Sequence, residues 1–205
     1  MLQTYSGRRF TALNFKFMDT INLSTVRQSF ANATFTHKVQ EIAAENARDS
    51  ALIVKILNIA LVSLAFIFLL LQVNNPSSVI YSYIGSGVAA AEVLFLIVQL
   101  SFNFDQSALT HKNCALKYMQ LRDKYRLLIG DIMENKQPYN EIISRREMLQ
   151  QEYQVISDLS PQTKSNEYIE AQKRLNTANS NGGEQFTWSD EEIDRFLPES
   201  LRLKK

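Results

Sequence analysis

Residues Ile56 to Val73 read ILNIALVSLAFIFLLLQV, and this stretch decides what kind of fold the chain can adopt. Its 18 residues carry no formal charge. As a helix they extend ~27 Å, close to the ~30 Å hydrocarbon core of a bilayer. Apolar side chains occupy all sides of that helix rather than one stripe, which favours a membrane span over a buried helix of a soluble bundle.

A second apolar run, Val79 to Phe102, reads VIYSYIGSGVAAAEVLFLIVQLSF and is interrupted only by Glu92. Between the runs lies NNPSS, Asn74 to Ser78, a polar turn in which Pro76 separates the helices. So short a turn requires antiparallel neighbours. We therefore predict an all-α membrane protein: a two-helix transmembrane hairpin with spans at about 51–73 and 79–102, a preceding helix and a following cytoplasmic helical hairpin.

Bulk composition excludes several classes of function. The 205 residues carry a net charge of +1, so we expect no direct nucleic-acid partner. Cys114 is the single cysteine, and with two scattered histidines it leaves no cluster at zinc-ligand spacing. The N-terminus lacks the apolar region of a cleaved signal peptide. We expect no cofactor, no metal and no catalytic residue, hence no enzyme.

Basic residues flank one end of the hairpin, and the turn at the other end has none. They are Lys38, Arg48 and Lys55 before the first span, and Lys112, Lys117, Arg122, Lys124 and Arg126 after the second. The positive-inside rule then predicts that both termini face the cytoplasm.

The chain divides into four predicted segments. They are an N-terminal arm and pre-membrane helix (1–50), the transmembrane hairpin (51–104), cytoplasmic helices (105–175), and a flexible linker with a short C-terminal helical motif (176–205). In the arm, the apolar side chains of Phe10, Phe15, Phe17 and Met18 either pack or contact the membrane interface.

The helix predicted over Asp105 to Glu134 carries apolar residues at alternating steps of three and four. This seam comprises Tyr118, Leu121, Tyr125, Leu128 and Ile132, with Cys114 before it. Such a pattern packs against another helix, within the chain or in a neighbouring subunit. After a break at Asn135 to Pro138, a second helix over Tyr139 to Leu159 repeats the pattern, although Arg146 interrupts it.

Near the C-terminus, Ser189 and Glu192 have the spacing of a capping box, and Pro198 follows as a stop. Together with Trp188 they predict a short helical motif that docks either onto a partner or onto the protein's own body.

Glu92 is the exceptional residue of the second span. On a helix it belongs to a stripe of small and polar side chains that faces protein or water rather than lipid. The stripe comprises Ser82, Gly85, Ala89, Glu92, Gln99 and Asn103, with Leu96 between them.

Depth suggests partners for this carboxylate. Glu92 lies ~15 Å in from Phe102, while Lys55, Asn58 and Ser63 of the first span lie at about 6, 10 and 18 Å from the same end. An ionised acid at mid-bilayer costs about 2.5 to 3.5 kcal/mol. Glu92 is therefore either bonded or neutral and holds helices together, or it lines an aqueous path that opens on assembly.

Three features together resemble the SLATT family of two-span effectors. They are THKVQEIAAENARDS (Thr36 to Ser50), the hairpin with its minimal turn, and THKNCALKYMQLRDKYRLLIGDI (Thr110 to Ile132) with its Ala-x-x-Tyr-x-x-Leu pattern. The resemblance covers about residues 24–175. It implies a homo-oligomeric effector of a bacterial antiviral or conflict system, which forms a pore in or disrupts the inner membrane when a partner or nucleotide signal triggers it.

The resemblance leaves the partner open between a nucleotidyltransferase and a reverse transcriptase. The alternative function is a non-conducting membrane adaptor that recruits a soluble defence enzyme through its cytoplasmic helices. Both histidines occur in Thr-His-Lys triplets, at Thr36 to Lys38 and Thr110 to Lys112, either by coincidence or as a sensor of an anion or lipid phosphate.

Overall fold

The computed structural model describes the backbone of residues 4–177 and 187–203, and within these ranges the side chains from residue 20 onward. The helices of this part are α1 (Thr4–Asn74), α2 (Val79–Ser101), α3 (Phe104–Met133), α4 (Tyr139–Asp158), α5 (Ser165–Arg174), α6 (Asp190–Phe196) and a 3-10 turn (Glu199–Leu201). With 85% of the structure helical and no strand among the described residues, the predicted all-α class is confirmed.

The helix ends follow local sequence signals. α1 ends and α2 begins on either side of the Pro76 turn, and α3 and α4 are separated by the predicted break at 135–138. The predicted pre-membrane helix and first span are both parts of α1. The predicted contacts of the arm's aromatic side chains, and residues 178–186 of the predicted linker, lie outside the described residues.

Two compact units make up the chain, one of residues 1–42 with 111–205 and the other of residues 43–110. We call them the helical body and the hairpin. α1 and α3 each contribute residues to both units.

In the hairpin, the second half of α1 runs antiparallel to α2. Each of these two helices contains an apolar window of 18 residues. Among the described residues, only 0% of the first window and 6% of the second are buried within the molecule. A core helix of a soluble protein would bury such a surface, whereas here side chains such as Ile59, Leu69 and Leu94 are at least 60% exposed. Lipid is the medium that accommodates this surface, so the chain is a membrane protein.

The helical body packs α1, α3 and α4 around one core. The α3 seam lies at its centre, since Tyr118, Leu121, Tyr125, Leu128 and Ile132 are all at most 5% exposed. α1 supplies Val26, Phe30, Ala31 and Ala33, and α4 supplies Ile142, Leu149 and Ile156. The seam, predicted to pack within the chain or between subunits, thus packs against helices of its own chain.

Ion pairs fix the register of α3 against α4. Lys124 bonds to Glu152 at 2.6 Å, and Arg145 bonds to Asp131 at 2.5 Å. Arg146, which interrupts the α4 apolar pattern, donates to Oδ1 of Asn22 at 2.6 Å. The charged residue therefore sits where α4 meets the polar side of α1 rather than in the apolar core.

The C-terminal motif docks onto the protein's own body, which decides between the two predicted alternatives. Its helix α6 begins with the predicted capping box: Ser189 Oγ accepts from the Glu192 N–H, and Glu192 accepts from the Ser189 N–H. Ile193 and Leu197 are 0% and 2% exposed and belong to the core. A seven-residue helix is too short to persist alone in water, so its folding depends on this docking.

Arg27 of α1 anchors this motif. Its side chain is 1% exposed, and Nη2 donates to Asp194 Oδ1 at 2.7 Å and to Asp190 Oδ1 at 3.3 Å. Alongside, Gln28 exchanges two hydrogen bonds with the Trp188 backbone, and the Trp188 indole donates to Asn32 Oδ1 at 2.7 Å. A buried guanidinium is stable only with such acceptors, so the acidic motif and Arg27 depend on each other.

We expect Asp194→Asn to destabilise the helical body by about 3 kcal/mol, because it leaves the buried Arg27 charge without its nearest carboxylate. Asp190→Asn is the matched control, since Asp190 is 61% exposed and its bond to Arg27 is longer. It should cost less than about 1 kcal/mol. Thermal unfolding of the detergent-solubilised protein measures both, and equal losses would contradict the anchoring role of Asp194.

Candidate functional site in the transmembrane hairpin

The contact between α1 and α2 follows alternating steps of four and three residues on both helices. The partly or fully buried positions are Val54, Asn58, Leu61, Ala65, Phe68 and Gln72 on α1, and Tyr81, Gly85, Val88, Glu92, Phe95 and Gln99 on α2. This spacing is typical of left-handed helix packing, as in coiled coils and most membrane helix bundles.

Two contacts across the pair set its register. Asn58 Nδ2 donates to Gln99 Oε1 at 3.1 Å, and a Cβ built at Gly85 would lie 3.3 Å from Phe68 Cβ. Gly85 therefore permits the close approach of the two backbones. Reading the antiparallel register between these contacts places Glu92 opposite the apolar positions Leu61 and Ala65.

Glu92 is buried in this contact, with 8% of its surface exposed. Neither carboxylate oxygen has a hydrogen-bond partner among the described residues. A buried carboxylate without donors is costly in any apolar medium, and most costly when ionised. The hairpin of one chain thus shields this group from lipid but supplies no donor for it.

The predicted partners of Glu92 bond elsewhere in the single chain. Lys55 Nζ donates to Asp105 Oδ1 at 2.8 Å, Asn58 bonds to Gln99, and the Ser63 hydroxyl donates to the Ile59 carbonyl oxygen at 2.7 Å. For Lys55 the reason is competition, because Asp105 lies at the more polar end of the hairpin. The Ser63 bond is local to α1. The Asn58 bond is to Gln99, which follows Glu92 and Phe95 on the packing face of α2.

The predicted stripe is only partly the packing face. Gly85, Glu92 and Gln99 face α1, whereas Ser82, Ala89 and Asn103 are exposed. The bulkier residues Tyr81, Val88 and Phe95 also face α1. The predicted stripe did not include them, because it was drawn mainly from small and polar side chains. Their own four-then-three spacing with Gly85, Glu92 and Gln99 along α2 is the sequence signal that would have identified them.

A cavity of about 470 Å³ lies along the exposed edge of the stripe, toward the turn. Small side chains line much of it, namely Ser82, Gly85, Ser86 and Ala89 of α2 and Ala65 of α1. Gln72 also lines it, and its buried Oε1 has no hydrogen-bond partner among the described residues. The groove therefore combines surfaces that allow close helix approach with an unused acceptor.

In the helical body, the histidines of the two Thr-His-Lys triplets, His37 of α1 and His111 of α3, lie on facing turns. His37 Nδ1 donates to the Ala115 carbonyl oxygen at 2.9 Å, and His111 Nδ1 donates to Gln40 Oε1 at 2.7 Å. The Gln40 amide is oriented by its second bond, from Nε2 to the Pro161 carbonyl oxygen at 3.1 Å. Both imidazoles thus bond to protein acceptors, which is a structural use of the triplets.

Burial lowers the pKa of both histidines below the ordinary 6.5. For His37, desolvation is the largest cause. The hydrogen bond to Ala115 and the charge of Glu41 raise the pKa, and the charges of Arg122 and Lys38 lower it. For His111, desolvation again comes first, with Lys164 adding and Glu167 opposing. A pKa below 6.5 favours the neutral rings at pH 7, and each neutral ring then carries its proton on the Nδ1 that donates.

The part of the chain that the structure describes offers little for catalysis. No three His, Cys, Asp or Glu side chains in it converge as a metal site requires. Burial also raises the pKa of the Cys114 thiol, which contacts Ser160 Oγ at 2.9 Å and is thereby a poor nucleophile. What the hairpin can do is present a partnerless acid and a small-residue groove inside a membrane.

A family model described as "SMODS and SLOG-associating 2TM effector domain family 4" matches residues 23–192. The match includes α2 to α5 and most of α1, and it confirms the resemblance to the SLATT family. The comparisons with curated proteins and with solved structures found no match.

Gly85 and Gly87 allow a matched test of the hairpin contact. A Cβ at Gly87 meets no atom within 4 Å, so Gly87→Ala should stabilise α2 by up to ~1 kcal/mol through helix propensity. Gly85→Ala places its Cβ against Phe68 and should instead destabilise the hairpin by about 1–3 kcal/mol. Unfolding in mixed micelles compares the two, and equal responses would contradict the proposed register.

We expect the helical body to lose stability as pH falls from 7.5 to 5.5. A histidine whose pKa is lowered by folding binds protons more readily when unfolded, so its stabilisation is complete above pH 6.5 and declines as pH falls below that value. His111→Gln should flatten this dependence. Melting temperatures at several pH values measure it, and an unchanged slope in the variant would contradict the assignment.

Proposed function

Because the chain belongs to the family of SMODS and SLOG-associating 2TM effector domains, we propose that it is the membrane effector of a bacterial antiviral system and acts by assembling into a pore. Family membership makes it a membrane effector of conflict systems. The proposal adds that several hairpins assemble in the inner membrane, with both termini in the cytoplasm, and that the assembly conducts ions once a partner triggers it.

The observation that carries this proposal is the partnerless carboxylate of Glu92. In hydrocarbon a carboxylate needs donors or water, and the described residues of one chain supply no donor. An assembly of hairpins supplies both, because neighbouring copies bring polar groups and a central path admits water. The acid then stabilises the assembled, hydrated state relative to the separate hairpin, where its oxygens remain unbonded.

The exposed edge of α2 supports assembly through the hairpin. Ser82, Ser86 and Ala89 lie along the groove, where they allow the backbone of a second hairpin to approach closely. The hydroxyls of Ser82 and Ser86, exposed in the same groove, are hydrogen-bonding groups for that neighbour. Packing and hydrogen bonding drive helix association in lipid, and this edge provides surfaces for both.

The helical body is the candidate control element. We assign it the task of receiving the trigger from a partner sensor, either a nucleotidyltransferase or a reverse transcriptase. No residue of the chain is assigned a catalytic role, and no bound cofactor is needed for the proposed activity.

One observation favours a second function, a non-conducting adaptor. On α4 and at its C-terminal cap, Met148, Val155 and Leu159 are 61%, 58% and 69% exposed and recur at steps of seven and four, which places them on one side. An apolar face on the surface of the helical body suits the docking of a soluble defence enzyme.

Membrane potential distinguishes the two functions. In cells expressing the protein with its neighbouring genes, the pore proposal predicts depolarisation and dye entry after triggering. Glu92→Leu should reduce the conductance by about tenfold or more, which corresponds to destabilising the open state by ~1.4 kcal/mol. Glu92→Gln, which keeps the polarity but not the charge, should have an intermediate effect.

Val93→Ala is the matched control, because the adjacent Val93 side chain is 56% exposed on the lipid side. It should leave depolarisation unchanged. If triggered cells arrest growth while remaining polarised and impermeable, the pore proposal is wrong, and variants of Met148 and Val155 that abolish arrest would then establish the adaptor.

A further inference from the structure

The end of the hairpin opposite the turn contains a second cavity, which the proposed pore does not use. Its volume is about 340 Å³, within the ~300–1,000 Å³ range of small-molecule sites. Its polar lining includes Lys55, Gln99, Asn103 and Asp105, and its apolar lining includes Leu100 and Phe102. All of these residues belong to the hairpin unit.

The charged pair in this cavity is accessible. Lys55 Nζ and Asp105 Oδ1 are 2.8 Å apart, yet the two side chains are 52% and 66% exposed. An ammonium has three N–H donors and a carboxylate has two oxygens, so the bond between them leaves donors and an oxygen for a ligand. The cavity thus presents one cationic and one anionic group side by side.

Depth places this pair at the membrane interface. Lys55 lies only ~6 Å along the helix from Ala51, where the predicted first span begins, and Asp105 follows the end of the second span. Lipid headgroups occupy this zone. Leu100 and Phe102, 84% and 60% exposed, form the apolar rim of the same cavity at the depth where acyl chains begin.

From this arrangement we propose that the cavity binds a zwitterionic phospholipid whose headgroup ends in a primary ammonium. The phosphate contacts the Lys55 ammonium, and the lipid ammonium donates to the Asp105 carboxylate. The acyl chains run along Leu96 and Leu100 toward the hydrocarbon. The opposite order of charges is disfavoured, since it would set like charges against each other.

The charge pattern selects among lipids. A purely anionic headgroup places negative charge beside Asp105 without compensation. A quaternary ammonium headgroup has the same net charge as the primary one but no N–H to donate, so its contact with Asp105 is weaker. A phosphatidylethanolamine headgroup satisfies both residues. The proposal requires only that the hairpin lies in a membrane, and it holds whether or not the assembly conducts.

Native mass spectrometry of the full chain tests this, after solubilisation and addition of equimolar phosphatidylethanolamine, phosphatidylcholine and phosphatidylglycerol. We expect phosphatidylethanolamine to be retained about tenfold more than either competitor, the scale of one charge-assisted bond. Asp105→Asn should remove the preference, whereas Lys55→Gln, which removes the contact to the phosphate that all three lipids share, should lower the retention of all three. Lys55→Arg, which keeps the phosphate contact, should retain the preference.

The matched control is Lys124→Gln, which breaks a surface ion pair of similar exposure on the helical body, with Glu152. It should leave lipid retention unchanged. Equal retention of the three lipids by the wild-type chain would overturn the proposal, as would a preference that survives in Asp105→Asn. Competition by soluble glycerophosphoethanolamine at equal concentration would overturn the lipid assignment, because it would show that the headgroup alone binds as well.

Discussion

Polar groups in hydrocarbon must find partners, and this constraint governs the hairpin of the molecule. Glu92 illustrates it, because the α1–α2 contact covers the carboxylate without giving either oxygen a donor. Asn58 and Gln99, further along the same α1–α2 contact, meet this constraint differently, because they hydrogen-bond to each other. The α1–α2 contact thus leaves this acid without a donor among the described residues, and the proposed assembly rests on that feature.

The helical body obeys a different balance, because it buries its apolar side chains in a core of its own. There the burial of Tyr125, Leu128 and Ile193 provides the main stabilisation, and polar groups are arranged around that core. Arg27 is the exception, a buried cation whose acceptors come from the C-terminal motif. Removing either Arg27 or its carboxylates leaves an uncompensated group. The C-terminal motif is therefore tied to α1.

Sequence reasoning recovered those features that depend on neighbours along the chain. Hydrophobic runs located α2 and the apolar part of α1, the Pro76 turn separated them, and the Ser189 capping box began α6. Steps of three and four likewise identified the α3 residues that became the core. Of the predicted stripe around Glu92, the structure places Gly85, Glu92 and Gln99 toward α1, while Ser82, Ala89 and Asn103 are exposed.

The sequence by itself therefore determined the positions and the apolar character of the two hairpin helices, because helix formation and lipid solubility are set by local composition and periodicity. Only the tertiary structure decided which face of α2 meets α1, that Lys55 pairs with Asp105 rather than Glu92, and that the C-terminal motif docks on Arg27. The last two of these choices join residues 50 and 167 positions apart. They depend on competition among several partners of suitable chemistry. A local sequence pattern does not show which of these partners is preferred.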